Sequence, residues 1–180
     1  MHFLENFYNK TVKYELFNKF NFNKTKNLPE LKKIILNFGC KTAEMRQLSS
    51  SLLALEIISN QKGTMTKTKQ SNILLKIRKG NPTGCKVTLT KFLKFNFFSK
   101  ILIEIFPKLR NFYGCNLSKK LKKKSFFFNL KETFSFAELE NHYYLFNNLP
   151  VLNIILITNS QSTKELIFLL KSFQIPIKKS

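Results

Sequence analysis

Residues 76–91, KIRKGNPTGCKVTLTK, hold five cations and no acid, with two glycines and a proline between β-branched runs. Three readings compete: a phosphate-binding loop, a solvated surface hairpin, and a finger that touches nucleic acid. The first fails on spacing. That motif needs four residues between its glycines, then Lys and Ser or Thr directly, at a strand-to-helix junction. Here three residues separate Gly80 from Gly84, Cys85 precedes Lys86, and Val87 follows it. The runs ILLKI (73–77) and CKVTL (85–89) are expected to form two strands, with RKGNPTG (78–84) as their tip, too long for a two-residue turn.

Upstream, Leu4, Tyr8, Val12, Leu16 and Phe20 recur every four residues, which predicts an amphipathic helix. LKKIILNF (31–38) reads as a strand ended by Gly39, and Met45, Leu48, Leu52, Leu55 and Ile58 keep helical spacing within 41–59. GTMTKTKQS (63–71) reads as irregular or extended. Downstream, Phe98, Leu102, Ile105, Leu109 and Phe112 mark a helix that Pro107 is expected to kink or interrupt. FFFNLKETF (126–134) reads as a strand, FAELENHYYLF (136–146) is ambiguous, and VLNIILIT (151–158) reads as a buried strand. Ser162 and Glu165 have capping-box spacing ahead of Leu166, Ile167, Leu169, Leu170 and Phe173. Helices and strands mix without strict βαβ alternation. The expected fold is one α+β domain over residues 1–180: a mostly antiparallel sheet with helices packed on one side and a projecting basic hairpin.

Thirty-one Lys and Arg face ten Glu and no Asp, a net charge of +21 that argues for a polyanionic partner, either nucleic acid or an anionic membrane surface. With 43% apolar residues, the 180-residue chain can bury a real core. Lys outnumbers Arg 28 to 3, beside 20 Phe and 19 Asn, and these A/T-rich-codon residues point to an A/T-rich, organellar genome that itself inflates the Lys count. Catalysis by paired carboxylates or two metals lacks its groups, since Glu138 and Glu140 are the only close acid pair. Cys40, Cys85, Cys115, His2 and His142 show no ligand spacing, so the cysteines read as small buried hydrophobes, with no metal and no cofactor expected. No apolar run approaches the ~18 residues that span a bilayer. Ten cations and no acid lie between Glu56 and Glu104, interleaved with Thr, Asn, Gln and Gly. Short polar side chains contact phosphate and ribose while Lys supplies charge, so this window, with Lys67 and Lys69 in it, is expected to bind RNA. The rival is a basic peripheral membrane or scaffold protein. It lacks a strongly basic amphipathic helix, because Glu5 and Glu15 sit on the first one, so no membrane partner is expected. SKKLKKKS (118–125) reads as a mobile loop or tail.

Together these segments resemble the large-ribosomal-subunit protein five family, the universal 5S-rRNA-binding protein of the central protuberance. FYNKTVKYELFNKFNFNKTKNLPELKKIILNFG (7–39) resembles its first helix and strand, and EIISNQKGTMTKTKQSNILLKIRKGNPTGCKVTL (56–89) its most distinctive stretch. FPKLRNFYG (106–114) resembles the end of the next helix, and LNIILITNSQSTKELIFLLKSFQIPI (152–177) the closing strand, helix and tail. The resemblance implies a structural, non-catalytic protein that binds 5S rRNA and large-subunit rRNA beside neighbouring large-subunit proteins. It implies contact with peptidyl-site tRNA, and with a small-subunit head protein across an intersubunit bridge. Matching motifs place rRNA contacts at Asn37 in LNFG, Gln61 and Lys62 in SNQKG, and Thr88 in KVTLT. The tRNA-facing loop would comprise Lys76, Arg78, Lys79, Gly80, Asn81, Pro82, Thr83 and Gly84. Residues 116–148 depart from the family, with NLSKKLKKKS in place of a glycine-rich loop and FAEL in place of Phe-Pro-Glu-Ile. No presequence precedes the resemblance. Synthesis within the organelle is therefore expected, on a ribosome of the mitochondrial matrix rather than of a plastid.

Overall fold

The computed structural model describes residues 2–22, 24–40, 44–74, 77–110, 112–116 and 123–178. The N-terminal helix forms as α1 (Phe3–Phe7) and α2 (Lys13–Lys19), joined by a wider π-helical turn at Tyr8–Val12. Its stripe of Leu4, Tyr8, Val12 and Leu16 is buried, as the four-residue spacing requires. Strand β1 (Leu31–Gly39) follows, then α3 (Met45–Ser59), β2 (Thr64–Lys67) and β3 (Pro82–Leu89). Helix α4 (Lys91–Lys100) runs through a second π-helical turn, Ile101–Ile105, into α5 (Phe106–Lys108). Pro107 sits directly after that wide turn, which absorbs the hydrogen bond a proline cannot donate. The later elements are β4 (Cys115–Asn116), β5 (Ser125–Leu130), α6 (Ala137–Glu140), α7 (Tyr143–Phe146), β6 (Leu152–Thr158), α8 (Thr163–Ser172) and β7 (Ile177–Lys178). The ambiguous FAELENHYYLF thus resolves into two one-turn helices. At the start of α8 the expected box is present. Glu165 N donates to Ser162 Oγ (3.2 Å), and the Glu165 carboxylate accepts from Ser162 Oγ and Gln161 N (both 2.9 Å).

The fold is α+β, with a five-stranded antiparallel sheet in the order β2-β3-β1-β6-β5. β4 and β7 form a separate two-stranded parallel pair. The chain divides into two compact units, residues 1–34, 90–128 and 155–180 in one, residues 35–89 and 129–154 in the other. In the first, Leu4, Val12, Phe98, Ile105, Leu169 and Phe173 are buried, and the Phe98 and Phe173 rings meet edge to face at 5.3 Å. In the second, α3 covers one side of β3, with Leu48, Leu55, Cys85, Val87 and Leu89 buried. The strands alternate between buried and more open positions, as in β6, where Leu152, Ile154, Leu156 and Thr158 are the buried set.

The hairpin is built differently from the sequence expectation. The partner of β3 is Thr64–Lys67, from the segment read as irregular, while ILLKI forms no strand. Asn72 explains this. Its Oδ1 accepts from Leu74 N (3.0 Å) and its backbone exchanges hydrogen bonds with Ile77, so the chain turns here. Ile73 and Leu74 are 92% and 93% exposed, so their β propensity meets no partner surface. Of the expected RKGNPTG tip, Arg78–Asn81 lie in the connection, whereas Pro82, Thr83 and Gly84 begin β3. Lys41, where the α3 segment was expected to begin, and residues 118–122 of SKKLKKKS lie outside the described residues.

Replacing Ser162 by Ala removes one half of the capping box and should lower unfolding free energy by about 1 kcal/mol in urea titrations. A second expectation concerns pH. Burial pushes the Tyr8 hydroxyl up to about 12, with Glu30 adding to it. Burial likewise raises the Cys115 thiol to about 12, and the Cys85 thiol to about 11 with Cys40 adding. Each group binds its proton more tightly folded than unfolded. Its contribution is therefore complete below the ordinary thiol value of 9.0 and is lost as pH climbs towards 12. The melting temperature should fall steadily above pH 9, and Cys115→Ala should flatten that decline.

Candidate nucleic-acid interface

All of the sequence-predicted contact residues fall in the unit of residues 35–89 and 129–154. In β1, Leu36 and Phe38 are buried, so Asn37 and Gly39 point to the opposite side. In β3, Cys85, Val87 and Leu89 face α3, where Cys85 Sγ donates to Leu48 O (3.5 Å), which turns Gly84, Lys86 and Thr88 the other way. β2 is registered with Thr64 opposite Lys86 and Thr66 opposite Gly84. Asn37, Thr64, Thr66, Lys86 and Thr88 therefore share one open sheet face. Thr64, Thr66 and Lys86 were not among the residues assigned an RNA contact from sequence; the period-two alternation of 84–89 carried the signal for Lys86.

That face closes through a tight backbone approach. A Cβ on Gly84 would lie 2.7 Å from Phe38 O and 2.9 Å from Thr66 Oγ1. Cys40 N donates to Thr83 O (3.0 Å) just beyond it. Gln61 and Lys62 reach the face by a different route. Asn60 ends α3 in the left-handed conformation (φ 51°), and Gly63 N donates to Glu56 Oε1 (2.9 Å), which fixes the turn into β2. Gln61 Oε1 is buried and has no hydrogen-bond partner in the protein, an acceptor left unsatisfied in the chain alone.

Past β2, Lys67 follows a register shift and Lys69 opens the connection. The connection's base is tied. Thr68 N donates to Asn81 O (2.9 Å), Gly80 N to Thr68 O (3.0 Å), and Thr68 Oγ1 to Arg78 O (2.8 Å). Gly80 holds φ 91°, a conformation L side chains rarely adopt. Lys62, Lys67, Lys69, Arg78, Lys79 and Lys86 are all exposed, and among the described residues none of them is ion-paired. Lys76 lies outside the described residues. No group of three His, Cys or Glu side chains that could hold a metal occurs among the described residues, and no helix there is long and apolar enough to cross a membrane.

The family model for the C-terminus of the ribosomal protein uL5 family matches residues 82–177, from the start of β3 to β7. Large ribosomal subunit protein uL5m of Reclinomonas americana is 35% identical over 181 residues, covering 99% of this chain and 100% of its own. The chain belongs to the uL5 family of ribosomal proteins. Large ribosomal subunit protein uL5 of Wigglesworthia glossinidia brevipalpis is also 35% identical, over 98% of this chain and 99% of its own. The uL5 of Nitrosomonas europaea is 32% identical over 96% of each chain. The uL5 family is structural rather than enzymatic, so the face described above is a surface for binding and not for chemistry.

Because the Gly84 contact is with backbone, Gly84→Ala should force β3 away from β1. We expect a loss of about 1–3 kcal/mol in unfolding free energy, and weaker RNA binding in proportion to the unfolded fraction.

Proposed function

We propose that this protein is a structural constituent of an organellar large ribosomal subunit, most simply the mitochondrial one, and that it holds 5S rRNA on the open face of β1, β2 and β3. The carrying observation is that face itself: Asn37, Thr64, Thr66 and Thr88 amid six exposed, unpaired cations, in a chain related over its full length to large-subunit proteins. Threonine hydroxyls and the Asn37 amide suit ribose and phosphate, while the lysines give sequence-independent attraction. Gln61 Oε1 gains a partner when it turns to an RNA hydroxyl or amine. The mitochondrial reading is supported by the relative from Reclinomonas americana, the mitochondrial uL5m.

In this reading the connection from Thr68 to Asn81 meets peptidyl-site tRNA. Its supports are the tied base, the exposed Ile73 and Leu74, and the cations Lys69, Arg78 and Lys79. Other surfaces meet neighbouring large-subunit proteins and a small-subunit head protein across an intersubunit bridge.

Three measurements test the proposal. With about five to seven phosphate contacts, log K for 5S rRNA should fall against log salt with a slope of about −4 to −6; a slope near zero for folded protein removes the electrostatic argument. Asn37→Ala and Thr88→Ala leave the charge unchanged, so each should weaken cognate binding by about 1–2 kcal/mol while random RNA binds as before. Equal losses on both RNAs place the specific contacts elsewhere. Finally, replacing residues 70–78 with a short Gly-Ser link preserves the anchors Thr68, Gly80 and Asn81. Ribosomes carrying it should assemble normally and release peptidyl-site tRNA faster; normal release with failed assembly makes the connection an rRNA anchor instead.

A further inference from the structure

The geometry points to a second RNA-backbone site in the other unit: a basic cleft between the N-terminal helix and the start of β1. It encloses about 370 Å³. Buried Tyr8 and Leu28 form its floor, and Tyr8 is pinned by its hydroxyl donating to Pro29 O (2.9 Å). Asn9 and Lys13 stand four residues apart on the helix, Thr25 and Lys26 come from a 3-10 turn (Thr25–Asn27), and Glu30 and Lys32 from the entry to β1. Asn9, Thr25, Lys26 and Lys32 are exposed.

Charge in the cleft is arranged unevenly. Three lysines less one glutamate leave a net +2 among its lining residues. Glu30 is already matched. It forms an ion pair with Lys32, and it faces Lys94, whose ammonium is anchored on Leu31 O (2.6 Å). Lys13 and Lys26 have no ion-pair partner among the described residues. A carboxylate locked to lysines on one side, with two free ammonium groups, an amide and a hydroxyl on the other, suits a phosphodiester and its ribose. A metal site would need the acids that are missing here. An apolar ligand would find its floor too narrow between polar walls. That the polyanion is RNA rests on the ribosomal reading above, but the cleft shares no residue with the face of β1, β2 and β3 and can fail or stand separately.

The test uses the full chain, with 5S rRNA and a transcript of large-subunit rRNA as probes. Lys13→Gln/Lys26→Gln is compared with Lys67→Gln/Lys69→Gln, both checked for unchanged thermal unfolding. Neutralising two phosphate contacts should make the salt slope shallower by about 1.5–2 and lower affinity about three- to tenfold for at least one probe, with the two pairs additive. An unchanged slope and affinity for the folded cleft variant on both probes would overturn the inference, whatever the other pair does. Loss through the cleft pair but not through Lys67 and Lys69 sustains the cleft and removes the proposed face. If Lys13→Gln disturbs folding, Lys26→Gln alone and a Thr25→Cys variant carrying an iron chelate take its place. The natural cysteines are buried, so the chelate goes to position 25. Hydroxyl-radical cuts at one confined stretch of bound RNA are expected; scattered or absent cuts reject the site.

Discussion

β3 can lie between β2 and β1 only because Gly84 has no side chain. The Phe38 carbonyl and the Thr66 hydroxyl occupy the space a Cβ would need, at 2.7 and 2.9 Å. With that approach made, Cys40 N reaches Thr83 O and β2 finds its register on the far edge of β3. The alternation of β3 then follows from pleating. Cys85, Val87 and Leu89 go under α3, and Lys86 and Thr88 go to the open face. A one-residue slip would exchange those two sets and bury Lys86. The polar face is thus a by-product of packing the apolar one.

The electrostatics build on that frame. A chain of net charge +21 has far more cations than acids to pair them with, and the one ion pair found among the described residues is Lys32 with Glu30. Exposed lysines repel one another, and a polyanion relieves that repulsion while releasing its counterions. Charge alone gives no address. Positioning comes from uncharged groups fixed by the backbone: Asn37 on β1, Thr88 on β3, and Gln61 after the left-handed Asn60. These belong to rigid elements, whereas most of the cations extend from β2's ends and from the connection.

Much of this was legible in the chain. The four-residue stripe from Leu4 to Leu16, the β1 run ended by Gly39, the helix through Met45–Ser59 and the Ser162–Glu165 box each depend on neighbours within a few residues, so local chemistry decided them. Pro107 announced a disturbed helix, and the disturbance takes the form of a π-helical turn just before it. Asn37, Gln61, Lys62, Lys67, Lys69 and Thr88 came from motif resemblance and from the acid-free basic window, and they fall in one compact unit.

The hairpin was not legible in the same way. ILLKI has the stronger β propensity, yet TMTK is the strand, because a strand is defined by its partner. Register between β2 and β3 joins residues about twenty positions apart, and the Asn72 turn between them outweighs the apolar run that follows it. The same holds for the cleft of Lys13 and Lys26, which meet only when helix and strand entry pack together. By itself the sequence determined composition, charge, the helical stripes and the caps, since these rest on residue chemistry and short-range periodicity. Tertiary structure alone decided which residues share a face, because faces are made by strand pairing and packing between distant segments, and no local pattern encodes the partner.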